Sequence, residues 1–192
     1  VLAPLITETE ADLIMKSQQG DRYAFGELVR HYYSRLIHVI YRMCGDAALA
    51  EDAAQEAFLR AWLHISSFRL GEPLRNWLYR IAVNAALDIL RRRTEESAED
   101  ENLQMIPEQA MSPEEALIEK ESTALLQQAV KSLPEAARSV LVLREYGELS
   151  YQEIASVLDI PIGTVMSRLN YARDRLREAL KDRMLQAENE YV

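Results

Sequence analysis

The chain has 192 residues, of which 48% are hydrophobic and 28% charged, with only six glycines and six prolines. That composition excludes a disordered or fibrous chain and favours helices over a turn-rich β fold. The formal charge of −9 argues against a nucleic-acid partner until its position along the chain is read.

No apolar run approaches the roughly 20 residues that a membrane helix needs, so no membrane insertion is expected. The opening VLAPLI lacks the basic flank and the length of a signal peptide. Cys44 stands alone, which leaves neither a disulfide framework nor a cysteine zinc cluster. A reducing bacterial cytoplasm fits that usage.

In chain order, residues 8–94 read as successive helices forming a first module. Asp21 suits the N-cap of a helix in which Phe25, Leu28, Val29, Tyr32, Leu36, Val39 and Ile40 recur at helical spacing. Gly45-Asp46 breaks it, and a second helix is predicted from Ala47 to Leu63. A loop from His64 to Pro73 leads to a third helix, Leu74 to Arg93, with a buried stripe of Leu78, Ile81, Ala82, Ala85 and Ile89. Residues 95–113 read as an acidic, flexible linker. A functional alternative is that this acidic strand mimics nucleic acid in a partner's basic channel. A second helical module is expected over 114–186. The fold class is therefore all-α, two small helical domains on a tether.

The acidity belongs to the tether. Residues 95–121 carry ten acids against Lys120, which accounts for the whole net charge. Residues 69–93 hold six arginines against Glu72 and Asp88, and residues 161–183 hold five arginines and Lys181 against three acids. Local clusters of this kind, and not the total, set phosphate affinity.

The strongest local pattern is LSYQEIASVLDIPIGTVMSRL, residues 149–169. Ser150 and Glu153 form an S-x-x-E capping box, with Leu149 and Ile154 placed as a hydrophobic staple. Ala155 is small where two helices must cross, and Asp159 falls at the tight turn in a position that needs a left-handed backbone. Pro161 suits the start of the next helix, and Val165, Leu169, Ala172, Leu176 and Leu180 make its apolar stripe. This is a helix-turn-helix. Its second helix presents Thr164, Met166, Ser167, Arg168, Tyr171, Arg173 and Arg175 on the polar face, where N-terminal residues meet base edges and basic groups meet phosphates. Arg168 has the fork for a bidentate guanine contact. The bland alternative is a helical hairpin with a solvated basic face.

The segments DAALAEDAAQEAFLRAW (46–62), SSFR (66–69) and NWLYRIAVNAALDILRRR (76–93) resemble the second conserved domain of extracytoplasmic-function sigma factors. Residues 133–180, LPEAARSV through RLREAL, resemble the fourth. The two occur in the family's order and together cover most of residues 10–182. The resemblance implies a sigma factor that binds core RNA polymerase and directs promoter-specific initiation, commonly under an anti-sigma factor. It implies that AEDAAQEAF docks on polymerase through Asp52, Gln55, Glu56 and Arg60, with Phe58 in the core. It also implies that the SSFR loop and the following helix capture the −10 promoter element as a single strand. The residues assigned to that surface are Phe68, Arg69, Asn76, Trp77, Arg80, Asn84, Arg91 and Arg92. Asn76, Arg80, Asn84 and Arg91 recur opposite the apolar stripe, and Phe68 and Trp77 are the candidate platforms for an unstacked base. The helix-turn-helix is assigned to duplex −35 DNA, where Met166 and Tyr171 depart from the basic residues common in the family.

No catalytic, metal or cofactor site is expected, and no small-molecule substrate. His31, His38 and His64 form no ligand cluster, and no Gly-rich phosphate loop is present. The alternative function is a standalone helix-turn-helix regulator that binds duplex DNA without polymerase.

Overall fold

A computed structural model describes the backbone of residues 9–99 and 125–190 and the side chains of residues 9–93 and 125–181. Every regular element among these residues is helical. A short helix not singled out in the sequence, α1 (Glu10–Gln18), opens the described chain behind a capping box, in which the Thr9 hydroxyl accepts from Asp12 N–H at 3.2 Å. Helix α2 (Arg22–Cys44) starts where Asp21 accepts from the N–H groups of Tyr23 and Ala24, which satisfies two orphan donors. It ends at Gly45, whose φ of 68° is left-handed. Asp46 then caps α3 (Ala47–His64) through Leu49 N–H at 3.0 Å.

Helix α3 buries a face built almost wholly of alanines: Ala50, Ala53, Ala54, Ala57 and Ala61, with Phe58. Small side chains on that face let α3 pack closely against both α2 and α4. A 3₁₀ turn (Ile65–Ser67) leads into α4 (Leu74–Glu99). The sequence placed the end of α4 at Arg93, and the backbone instead stays helical for six residues more. Residues 94–99 are TEESAE, which lose the apolar period yet contain good helix formers. The rest of the expected linker, and the start of the second module at 114, lie outside the described residues.

The second module begins with α5, described over residues 125–131, followed by α6 (Glu135–Glu145), α7 (Tyr151–Leu158) and α8 (Ile162–Glu190). Gly147 lets the chain turn back over α6: a Cβ there would sit 2.8 Å from the Leu143 carbonyl oxygen. The bundle of α6, α7 and α8 closes over Val140, Leu143, Leu149, Ile154, Val165 and Leu169, all fully buried. The two modules are packed together, α4 against α7 and α2 against α6, so that one continuous apolar core runs through both.

Candidate nucleic-acid interface

The helix-turn-helix forms as its sequence dictates. Ser150 Oγ accepts from Glu153 N–H at 3.3 Å, and the Glu153 carboxylate accepts from Ser150 N–H at 2.8 Å. Leu149 and Ile154, the staple pair, are fully buried. Asp159 takes the left-handed conformation (φ 53°, ψ 50°) that ends α7, and three residues later α8 begins. The turn matches the three to four residues that orient a recognition helix.

The polar face of α8 is open. Met166, Ser167, Tyr171, Arg173 and Arg175 are exposed, and Thr164 and Arg168 are half-buried. Arg173 is tied to Glu145 at 2.9 Å, and Arg175 to Glu178 at 3.3 Å and to the Tyr171 ring. Arg168 forms no hydrogen bond or ion pair among the described residues, which leaves its guanidinium available to a base edge. Tyr171 serves as a flat surface under Arg175 in place of a basic group.

Glu153 has a second partner, Arg75 of α4, at 2.8 Å. The Ser150 N–H, then the Ser150 hydroxyl and Arg75, hold the Glu153 carboxyl at about 2, against burial, which raises it. The folded value lies below the ordinary 4.5, so the unfolded chain takes up the proton first as pH falls. The stabilisation from this carboxylate is thus complete above about 4.5 and is lost as pH drops through about 2. Glu153→Gln preserves the capping-box geometry without a titrating group. Its unfolding midpoint in urea is expected to depend less steeply on pH across that window, and superimposable curves for variant and wild type would contradict the assignment.

Along α4 the expected −10 residues fall into three groups. Asn84, Arg92 and, in the preceding loop, Arg69 are exposed. Arg80 and Arg91 are exposed but engaged by the second module: Arg80 donates to the carbonyls of Ser156 (2.9 Å) and Val157 (3.3 Å), and Arg91 to Glu135 (2.7 Å). Asn76 and Trp77 are half-buried, and Asn76 Oδ1 is a buried acceptor without a hydrogen-bond partner among the described residues. One expectation is corrected. Phe68 is only 5% exposed and packs its ring 5.2 Å from that of Trp77, so it belongs to the core and offers no open face to a base. The loop before α4 is further held by Gln18, whose amide donates to the carbonyls of Ile65 and Phe68.

On α3, Asp52 and Gln55 are exposed and Glu56 is half-buried. Arg60 bridges Glu56 (2.7 Å) and Asp88 of α4 (2.9 Å), a fixed charge at the edge of this face. The sequence reading missed Leu59 and Leu63, which are 55% and 64% exposed. They continue the Asp52–Glu56 row at i+3 and i+4 spacing and add an exposed apolar pair to it. The signal was present: an alanine face turned inward forces the leucines of α3 outward.

Among the described residues no three His, Cys, Asp or Glu side chains converge on a common point, and no helix is long and apolar enough to cross a membrane. His31 packs on Tyr32 and His38 on Tyr146. Cys44 is buried, and burial pushes its thiol up to about 11, far from a reactive thiolate.

Comparison with known proteins agrees with this geometry. Residues 28–96 match the family description "Sigma-70 region 2", and residues 123–176 match "Sigma-70, region 4". The chain is 38% identical to the ECF RNA polymerase sigma factor SigW of Bacillus subtilis, over 88% of this chain and 95% of that one. It is 37% identical to the RNA polymerase sigma-H factor of Pseudomonas aeruginosa, over 95% of this chain and all of that one. Among solved structures it resembles the sigma factor RpoE in complex with the anti-sigma factor NepR from Bartonella quintana, with a TM-score of 0.66 at 25% identity, over 82% of this chain and 96% of that one. CnrH in complex with the cytosolic domain of CnrY gives a TM-score of 0.69 at 24% identity, over 91% and 99%, a likeness of fold.

Proposed function

We propose a function from one premise: the chain belongs to the extracytoplasmic-function sigma factors of the sigma-70 family. It binds core RNA polymerase and directs transcription initiation at specific promoters. In this reading the first module docks on polymerase through Asp52, Gln55, Glu56 and Arg60, with Leu59 and Leu63 at the centre of the contact. The exposed face of α4 takes the opened −10 strand, with Asn84 reading a base edge and Arg69, Arg91 and Arg92 on phosphates. Trp77 is the remaining aromatic surface for an unstacked base. Helix α8 reads duplex −35 DNA through Thr164, Met166, Ser167 and Arg168, with Tyr171, Arg173 and Arg175 on the backbone. No catalytic residue is assigned; phosphodiester chemistry is left to the polymerase, and the chain works where the polymerase does, in the bacterial cytoplasm.

The observation that carries this reading is the pairing of an open recognition helix with a second, separate basic face on α4. A duplex-binding regulator needs only the first. An anti-sigma factor is a further partner in this reading, supported by the likeness to RpoE in complex with NepR.

Asn84→Ala separates the roles. The variant is expected to bind core polymerase as wild type does and to lose roughly 1–3 kcal/mol of open-complex stability, read by permanganate reactivity of the −10 thymines. A parallel loss of core affinity would move Asn84 out of the strand-reading surface.

A further inference from the structure

The loop that leads into α4 is held by the first helix. Gln18, the last residue of α1, donates through its side-chain amide to the Ile65 carbonyl at 3.1 Å and to the Phe68 carbonyl at 2.7 Å. These two carbonyls bracket the 3₁₀ turn, which Phe68 N–H closes onto Ile65 at 3.1 Å. Gln18 is half-buried there, whereas its neighbour Gln19 is exposed. Helix α1 is itself fixed. Ile14 and Ser17 are buried, the Ser17 hydroxyl donates to the Leu13 carbonyl at 2.6 Å, and Tyr32 of α2 donates to the Glu10 carboxylate.

The Phe68 carbonyl belongs to the peptide that leads into Arg69. That unit is planar and trans, with its C=O and N–H directed oppositely. An oxygen anchored on Gln18 therefore turns the Arg69 N–H away from α1. This N–H makes no hydrogen bond among the described residues, and Arg69 is exposed. On the far side, the Arg69 carbonyl accepts from Glu72 N–H at 3.2 Å across a turn in which Gly71 takes a positive φ of 97°. The two peptides that flank Arg69 are thus set, one by α1 and one by its own turn, just before α4 begins.

We propose that Gln18 is a positioning residue for capture of the −10 strand: by holding the Phe68–Arg69 peptide it presents the Arg69 main-chain N–H and guanidinium to the strand's backbone. The inference rests on the assignment of this loop and α4 to the −10 element. Main-chain N–H groups and arginines are both common partners of phosphate oxygens. A loop left free would sample many orientations and lose that freedom at each encounter with DNA. Holding it in advance moves that loss into folding, and Gln18 needs no contact with DNA to do so. A hydrogen bond of this kind adds little to the stability of the whole fold, so its removal leaves the rest of the module in place.

The test uses the full chain, alone and with core polymerase. Gln18→Met keeps the length and removes both donors, and Gln18→Lys restores donors. Gln19→Met and Gln19→Lys carry the same changes one residue on, at an exposed position. In the free chain, amide hydrogen exchange over residues 65–72 is expected to quicken roughly tenfold in Gln18→Met. It should stay near wild type in Gln18→Lys and in both Gln19 variants, with exchange in α2 and α4 unaltered. In holoenzyme, on fragments that it transcribes, Gln18→Met is expected to shorten open-complex lifetime about tenfold, read by permanganate reactivity of the −10 thymines, with affinity for core polymerase unchanged. Gln18→Lys should match Gln19→Lys, a recovery that a general loosening of the fold would not allow. Unchanged exchange in Gln18→Met, or exchange raised equally in Gln18→Lys, would overturn the role of the amide. So would a wild-type open complex in Gln18→Met beside a weakened one in Asn84→Ala. Wild-type open complexes in both variants would instead remove the −10 assignment, and this inference with it.

Discussion

Replacing Arg168 with alanine is expected to weaken −35-dependent promoter binding by roughly 1–3 kcal/mol and to relax the preference at one base pair. The size follows from the surroundings of the side chain. Arg173, Arg175 and Arg177 are each tied to a carboxylate on the surface, at 2.9, 3.3 and 2.6 Å, and loss of any of them removes a charge already partly neutralised. Arg168 has no such partner among the described residues and stands half-buried on the first turns of α8, where a recognition helix meets base edges. Its loss should therefore change sequence preference, whereas Arg173→Ala should lower affinity evenly across sequences and flatten the salt dependence. Competition binding of holoenzyme to promoters randomised at the −35 element separates the two. An Arg168→Ala profile identical to wild type would remove this residue from the reading set.

The second large effect is expected on α3. Asp52→Lys with Glu56→Lys should lower affinity for core polymerase by at least about 2 kcal/mol, roughly thirtyfold, because interface charge pairs desolvated together are the costliest to reverse. The fold should survive. The alanine face that holds α3 to its neighbours is untouched, and the lost Arg60–Glu56 contact is a solvated pair worth a few tenths of a kcal/mol. Leu59→Ala with Leu63→Ala should produce a comparable loss without altering charge, since these exposed leucines have an apolar partner only when another protein covers them. Thermal melts and core-binding titrations of the same samples give the comparison. Wild-type affinity in the charge-reversed chain would move the docking surface elsewhere.

How much of this was legible in the sequence depended on whether an interaction is local. The capping box of Ser150 and Glu153, the Asp21 cap and the left-handed Asp159 each involve residues within three or four positions, and each formed as read. The helix-turn-helix and the apolar stripe of α4 followed from pattern, with Leu78, Ala82 and Ala85 buried and Ile81 and Ile89 half-buried. Three features escaped. Phe68 was assigned as a platform through the family resemblance of its SSFR loop, but its ring closes against Trp77, nine residues away in sequence. Leu59 and Leu63 were not singled out, and only the alanine face of α3 reveals that they point outward. The contacts between the two modules escaped altogether: Arg80 and Arg138 donate to main-chain carbonyls 76, 77 and 95 residues distant. A backbone acceptor leaves no mark on the sequence that presents it, so no pattern of side chains could have announced that contact.

A sigma factor gives core polymerase a promoter preference it otherwise lacks. Run-off transcription with purified core polymerase on genomic fragments, with and without the chain, measures that preference. The expected result is a set of transcripts that appear only with the chain, from fragments sharing two short elements at fixed spacing. Duplex DNA binding by the chain alone, with no chain-dependent transcript from any fragment, would contradict the claim and point to a standalone regulator.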